Sequence, residues 1–174
     1  FEVSEIDALR MLNEWGGQPL PVSASCWHDG VLTVRLSGAD AAVKAAVRDL
    51  GGESVANAAE FWASLREQQH AFFAGAESVW RLSVPTAAGA IILKGEQLIE
   101  WGGAQRWLKA ASDADTAQKI RRTAAAVGGH ATLFRGGDKS VGVFHPLAPA
   151  VAKIHERLKT AFDPSHIFNP GRMY

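Results

Sequence analysis

Ser78-Val79-Trp80-Arg81-Leu82-Ser83-Val84 sets Val79, Arg81 and Ser83 against Trp80, Leu82 and Val84. A period of two sends the two sets to opposite faces of a strand, and the apolar set marks the face that meets a core. Two further short runs, Ala90 to Lys94 and Gln97 to Trp101, follow across glycine-containing breaks, and Arg106 to Lys109 continues them. Together they predict a meander of antiparallel strands.

Toward the N-terminus, Ser4 is an N-cap for a helix with Ala8, Met11, Leu12 and Trp15 at helical spacing, stopped by Gly16-Gly17. Pro21 to Trp27 and Val31 to Ser37 flank the turn signal His28-Asp29-Gly30 and predict a hairpin. Val43, Ala46, Val47 and Leu50 give a second helix closed by Gly51-Gly52, and Gly52 to Val55 reads as a short strand. Asn57 then caps a third helix with Phe61, Trp62, Leu65 and Phe72 on one face. Phe72 and Phe73 in succession cannot both be buried by one helix face, so one of them is expected to touch another domain or a partner chain.

Toward the C-terminus, Asp113 begins a helix with Ala117, Ile120, Ala124 and Val127 inward. His130 to Phe134 is a strand, Gly136 to Pro146 a loop, and Pro149 opens a last helix with Val151, Ile154, Leu158 and Phe162 as its core stripe. Hairpins alternating with one-sided helices predict an α+β fold, a ferredoxin-like antiparallel sheet with helices packed on one face. No repeat or linker interrupts it, so residues 1–174 are expected to form a single domain.

Composition narrows the function classes. The chain has 174 residues, 47% hydrophobic and 21% charged, with no formal net charge. That is enough for a real core and offers no basic field for nucleic acid or anionic lipid. No apolar run approaches the ~20 residues of a membrane-spanning helix, so direct membrane insertion is not expected. The single cysteine, Cys26, cannot form a disulfide within the chain or supply an all-thiolate cluster by itself.

The chain's last stretch ends a helix at Asp163-Pro164 and turns at Asn169-Pro170-Gly171, while Ile167, Phe168, Met173 and Tyr174 ask for a surface to dock on. This ending resembles the C-terminal signature of the FAD-linked oxidases of the vanillyl-alcohol oxidase type. Ser64-Leu65-Arg66-Glu67-Gln68-Gln69, the run Gly95 to Leu108 with Glu100-Trp101-Gly102-Gly103, and Gly128-Gly129-His130-Ala131-Thr132-Leu133-Phe134-Arg135 extend the likeness. Within those oxidases the chain is similar to the FAD-binding subunits of bacterial glycolate oxidases, along essentially its whole length. The resemblance implies the cap domain of such a subunit, with the FAD held mainly by an upstream domain. Residues here offer no glycine-rich dinucleotide loop, since the glycine pairs stand isolated. The likeness further implies oxidation of a small 2-hydroxy acid, glycolate, to glyoxylate in a bacterial complex with a sister flavin subunit and an iron–sulfur subunit. Such a complex would be cytoplasmic and peripheral at the inner membrane through its partners.

That chemistry needs a base for the hydroxyl proton and a cation for the carboxylate. His130 is the candidate base, or else a hydrogen-bonded structural histidine. Catalytic relatives carry Gly-Glu-His-Gly here, and this chain reads Gly129-His130-Ala131. Arg135 is the candidate substrate-binding cation, or a solvated strand-end charge; strict alternation places it on the face opposite His130. Asn169 and Arg172 are candidate flavin contacts, or part of a tail that only joins cap to partner domain. The Trp101-Gly102-Gly103 turn with Arg106-Trp107 is either a β-meander corner or a wall against the flavin. His145-Pro146 is followed by Leu147-Ala148, without the second ligand of the relatives' His-Pro metal motif, so no metal site is expected. A second reading makes the domain a non-catalytic module that assists assembly or electron transfer while the sister subunit oxidises glycolate.

Overall fold

A computed structural model describes residues 1–75 and 78–171. The chain divides into two compact units, one from Phe1 to Val143 and a second from Phe144 onward.

The first unit is built on a six-stranded antiparallel sheet in the order β2-β1-β4-β5-β3-β6, formed by β1 (Val22–His28), β2 (Val31–Leu36), β3 (Val79–Ser83), β4 (Glu96–Glu100), β5 (Gln105–Lys109) and β6 (His130–Arg135). Among the described residues four α-helices accompany it: α1 (Glu5–Gly16), α2 (Asp40–Leu50), α3 (Ala58–Arg66) and α4 (Ala114–Ala126). Strands β5 and β6 both run antiparallel to β3, which lies between them, so β5-α4-β6 is a split βαβ unit of ferredoxin-like type. The α+β expectation is borne out.

The alternation at Trp80, Leu82 and Val84 works as expected. These side chains join Leu108, Ala131 and Leu133 under Ala117, Ile120 and Ala124 of α4. On the same face, Ala8 and Leu12 of α1 close over Leu32, with Trp27 at the margin. Both helices begin as expected: Ser4 Oγ accepts from the Asp7 amide at 3.2 Å and Asp113 Oδ1 from that of Thr116 at 2.9 Å. The opposite face is covered in part, by Leu65 of α3 and by Phe72 and Phe73, over Cys26, Val79, Leu98 and Trp107.

Several local expectations are corrected. Phe72 and Phe73 are both buried, because they sit in a 3-10 turn, Ala71–Phe73, after α3 has ended; the tighter winding sets adjacent rings edge-to-face at 5.0 Å instead of spreading them round one helix. Asn57 is left-handed, φ 56°, and makes no side-chain cap. Gly52 to Val55 and Ala90 to Lys94 form no strand. In the second case Arg106 draws the chain across the sheet: its guanidinium, fully buried, donates to the carbonyls of Ala88 at 2.7 Å, Gly89 at 2.8 Å and Gly103 at 3.1 Å. Those carbonyls are satisfied by a side chain, not by a ladder.

The second unit carries α5 (Pro149–Phe162), opened by Pro149 as expected. Its apolar stripe is not a core: Val151, Ile154, Leu158 and Phe162 are 41, 55, 51 and 84% exposed. Helical periodicity shows that a face is apolar, and does not show that anything covers it. The tail is organised by Asp163, whose Oδ1 and Oδ2 accept from the Ile167 and Phe168 amides at 2.9 and 3.0 Å while Lys159 pairs with the same carboxylate.

Candidate functional site

Antiparallel register places direct partners on one face, so the sheet can be read as cross-strand rows. Cys26, Glu100, Gln105, Ser83 and His130 are successive partners across β1, β4, β5, β3 and β6. One step along, His28, Leu98, Trp107, Arg81 and Thr132 form the next row of the same face. The α3 side of this face is covered, while Arg81, Ser83, His130 and Phe134 on the β3–β6 side are exposed. Strand spacing puts His130 about 14 Å from Glu100.

Where the two sides meet, a cleft of about 1130 Å³ opens beside α3, lined by Trp62, Leu65, Glu100, Trp101, Gln105 and Trp107. Glu100 is the anchor: its Oε2 accepts from the Trp107 indole at 2.6 Å and from the Gln105 amide at 3.2 Å. Trp101 takes a left-handed φ of 54°, and the next amide, of Gly102, donates to Ser25 Oγ at 2.8 Å. A tryptophan so held and 69% exposed is backbone strain maintained by its surroundings. To the residues expected at this turn the structure adds Glu100 and Gln105, which sequence reasoning missed. Only register could have revealed that they share a face with His130.

At the other end of the face, Glu96 accepts from His28 at 2.8 Å and from Lys109 at 3.1 Å. Burial works to raise its carboxyl, and the two hydrogen bonds outweigh it, so Glu96 sits below the usual carboxylate range. Burial, joined by the charge of His28, pushes the neighbouring His70 down. Burial pushes the Cys26 thiol up to about 12, with the Glu100 carboxylate adding to it. No group of three or more metal-ligating side chains occurs among the described residues.

His130 enters the sheet through Gly129, where a Cβ would lie 2.4 Å from the Ser83 carbonyl oxygen, so only glycine admits the approach. Its side chain stands exposed, opposite Ser83. Arg135 departs from strict alternation. A bulge in the β3–β6 ladder carries it to the aromatic group that covers part of the face opposite α4, where its guanidinium donates to the Phe73 carbonyl at 2.5 Å and lies 5.8 Å over the Phe73 ring. His130 and Arg135 are not brought together: they begin and end the same strand, about 17 Å apart. Arg81, which lies over the Phe134 ring at 5.6 Å, is the cation nearer to His130, in the adjacent row. Asn169 sits in the second unit with φ 46°, at the expected turn. Arg172 lies outside the described residues.

Over 173 residues, 99% of the chain, the sequence is 47% identical to glycolate oxidase subunit GlcE of Escherichia coli. The chain resembles a glycolate oxidase subunit along its whole length. The resemblance read from Gly95 to Leu108, from Gly128 to Arg135 and from the tail is thereby borne out. The chain spans about half, 47%, of the length of that relative. No family model and no solved structure matches the chain. Among the described residues no helix is long and apolar enough to cross a membrane.

Proposed function

We propose that this chain is the cap portion of a flavin-dependent glycolate oxidase subunit, working in a complex with a sister flavin subunit and an iron–sulfur subunit. The observation that carries the reading is its 47% identity to GlcE over nearly all of its length. The open half of the sheet face fits a ring-covering role: it carries the Phe134 ring and offers Arg81, Ser83 and Gln105 as donors. It does not fit a pyrophosphate, for which the chain has no glycine-rich cradle. FAD is therefore held mainly by a domain beyond these residues, and Asn169 and Arg172 remain the tail's candidate flavin contacts.

When bound, the flavin supplies the two-electron acceptor for the substrate's hydride. His130 takes the hydroxyl proton of glycolate. Its exposure leaves it accessible to solvent and substrate, with Ser83 as its cross-strand partner. The substrate carboxylate pairs with Arg81 in this arrangement, because Arg135 lies at the far end of β6, about 17 Å from His130.

The loss of the glutamate in Gly129-His130-Ala131 favours a second reading, in which this subunit assists assembly or electron transfer and its sister oxidises glycolate. One experiment separates the two. The full-length subunit is loaded with FAD and mixed with glycolate without oxygen and without its sister. Bleaching of the flavin absorbance supports the catalytic reading, and an unchanged spectrum moves the chemistry to the sister.

A further inference from the structure

Strand β2 is one edge of the sheet, and only its first part is covered. Phe1 and Glu2 run antiparallel beside it: Glu2 bridges to Val31, the Leu32 amide donates to the Phe1 carbonyl at 2.8 Å, and Phe1 nitrogen donates to the Leu32 carbonyl at 3.0 Å. Leu32 and Phe1 thus exchange both bonds of a ladder pair. Beyond them the alternation of β2 aims the main-chain groups of Val34 and Leu36 to the same outer side, where no further strand lies among the described residues.

That open edge borders a cleft of about 860 Å³, walled by Val47, Leu50, Gly52 and Val55 and ending at the Phe1 ring. Gly52 is the seat of that ring, since a Cβ there would come within 2.7 Å of it. Val31, Val47 and Val55 stand 45, 50 and 48% exposed around the gap. An uncovered apolar edge with unpaired amides is what folded proteins avoid leaving open.

We infer that the residues directly preceding Phe1 in the full-length polypeptide form a seventh strand on the outer edge of β2. The inference rests on the reading that the chain is part of a longer subunit. The occupant follows from continuity. The Glu2–Val31 register carried one step further sets the residue directly before Phe1 against Thr33, and the one before that against Val34. About four residues at ~3.4 Å each reach Leu36. The segment joining flavin domain to cap is then part of the cap's own sheet, not a free linker.

The test uses the full-length subunit and amide hydrogen exchange. The Val34 and Leu36 amides should be protected, and replacing the two residues before Phe1 by proline should speed their exchange about a hundredfold, as expected for an edge ladder that opens. Thr33 and Arg35, which face β1, should keep their rates. Unprotected Val34 and Leu36 amides in the unaltered protein would overturn the inference, as would protection that the prolines leave unchanged or that rises with protein concentration, the mark of a second copy on the edge. In the unaltered protein, an Overhauser contact between the Cα protons of Thr33 and the residue before Phe1 should appear, and its absence would be equally fatal. None of these readouts involves flavin reduction, so they stand or fall apart from the catalytic reading.

Discussion

Ser83 and His130 are direct cross-strand partners at the open end of β3 and β6. Their pairing fixes the imidazole on the uncovered sheet face, and it makes the first prediction selective. His130→Ala should change stability by under about 0.5 kcal/mol, because the side chain is exposed. If the imidazole takes the hydroxyl proton, single-turnover flavin reduction by glycolate in the full-length subunit should fall by about a hundredfold or more. An unchanged rate would return His130 to a structural role.

Arg81 and Arg135 are expected to separate cleanly. Arg81→Gln should weaken glycolate binding at the FAD-loaded subunit by roughly 1.5–3 kcal/mol, the value of a hydrogen bond to a charged group. Arg135→Gln should instead lower the thermal midpoint by releasing the Phe73 turn, with substrate affinity kept. The opposite pattern in a titration and a melt would restore Arg135 as the carboxylate's partner.

Arg106 ties the loop at Ala88 and Gly89, and the turn that ends at Gly103, to β5. Arg106→Met removes the donor of three carbonyls and the cation that stands 3.9 Å from Glu5. Removing one member of such a buried arrangement costs about 3–5 kcal/mol. Urea unfolding should register that loss, and a change below about 1 kcal/mol would mean that water replaces the guanidinium without difficulty.

Asp163 supplies a pH dependence. The hydrogen bond from Lys159, followed by those from the Ile167 and Phe168 amides, lowers its carboxyl to about 2 against the opposing effect of burial. A depressed carboxylate contributes stability that is present above its unfolded value, near ~3.9, and is lost as pH falls toward the folded value. The amide resonances of Ile167 and Phe168 should therefore hold to well below pH 4 and then move. A midpoint at the ordinary carboxylate value would show that the tail turn is not held this way.

Leu158→Ala should be nearly silent in the present chain. Half-exposed at 51%, the side chain has little burial to lose, and the melting temperature should shift by an amount worth under about 0.5 kcal/mol. A loss of 2 kcal/mol or more, at the scale of about 2–5 kcal/mol for a buried leucine, would mean that α5 is covered in solution.

The sheet was legible because its evidence is local. Val79 to Val84 alternates, Asp29-Gly30 turns, and Ser4 and Asp113 cap, each by the chemistry of a few adjacent residues. What escaped depends on distant partners. Ala90 to Lys94 has the composition of a strand, yet Arg106 claims the carbonyls that precede it and Ile91 goes into the core. The stripe of α5 has the right period with nothing in the sequence to name its cover. For the site the limit was register: Glu100, Gln105, Ser83 and His130 come from four strands, and no spacing along the chain aligns them. One residue of bulge was enough to move Arg135 from the face that alternation assigned it.

Cys26 lies sealed beneath Leu65 and Phe72, its thiol held protonated across the whole working range of maleimide chemistry. The chain is therefore a silent background for site-directed labelling. A cysteine introduced at an exposed position would take a spin label or a dye alone, and a pair of them, one in each compact unit, would report the separation of the units directly by dipolar spectroscopy or energy transfer, with the native sulfur left in place.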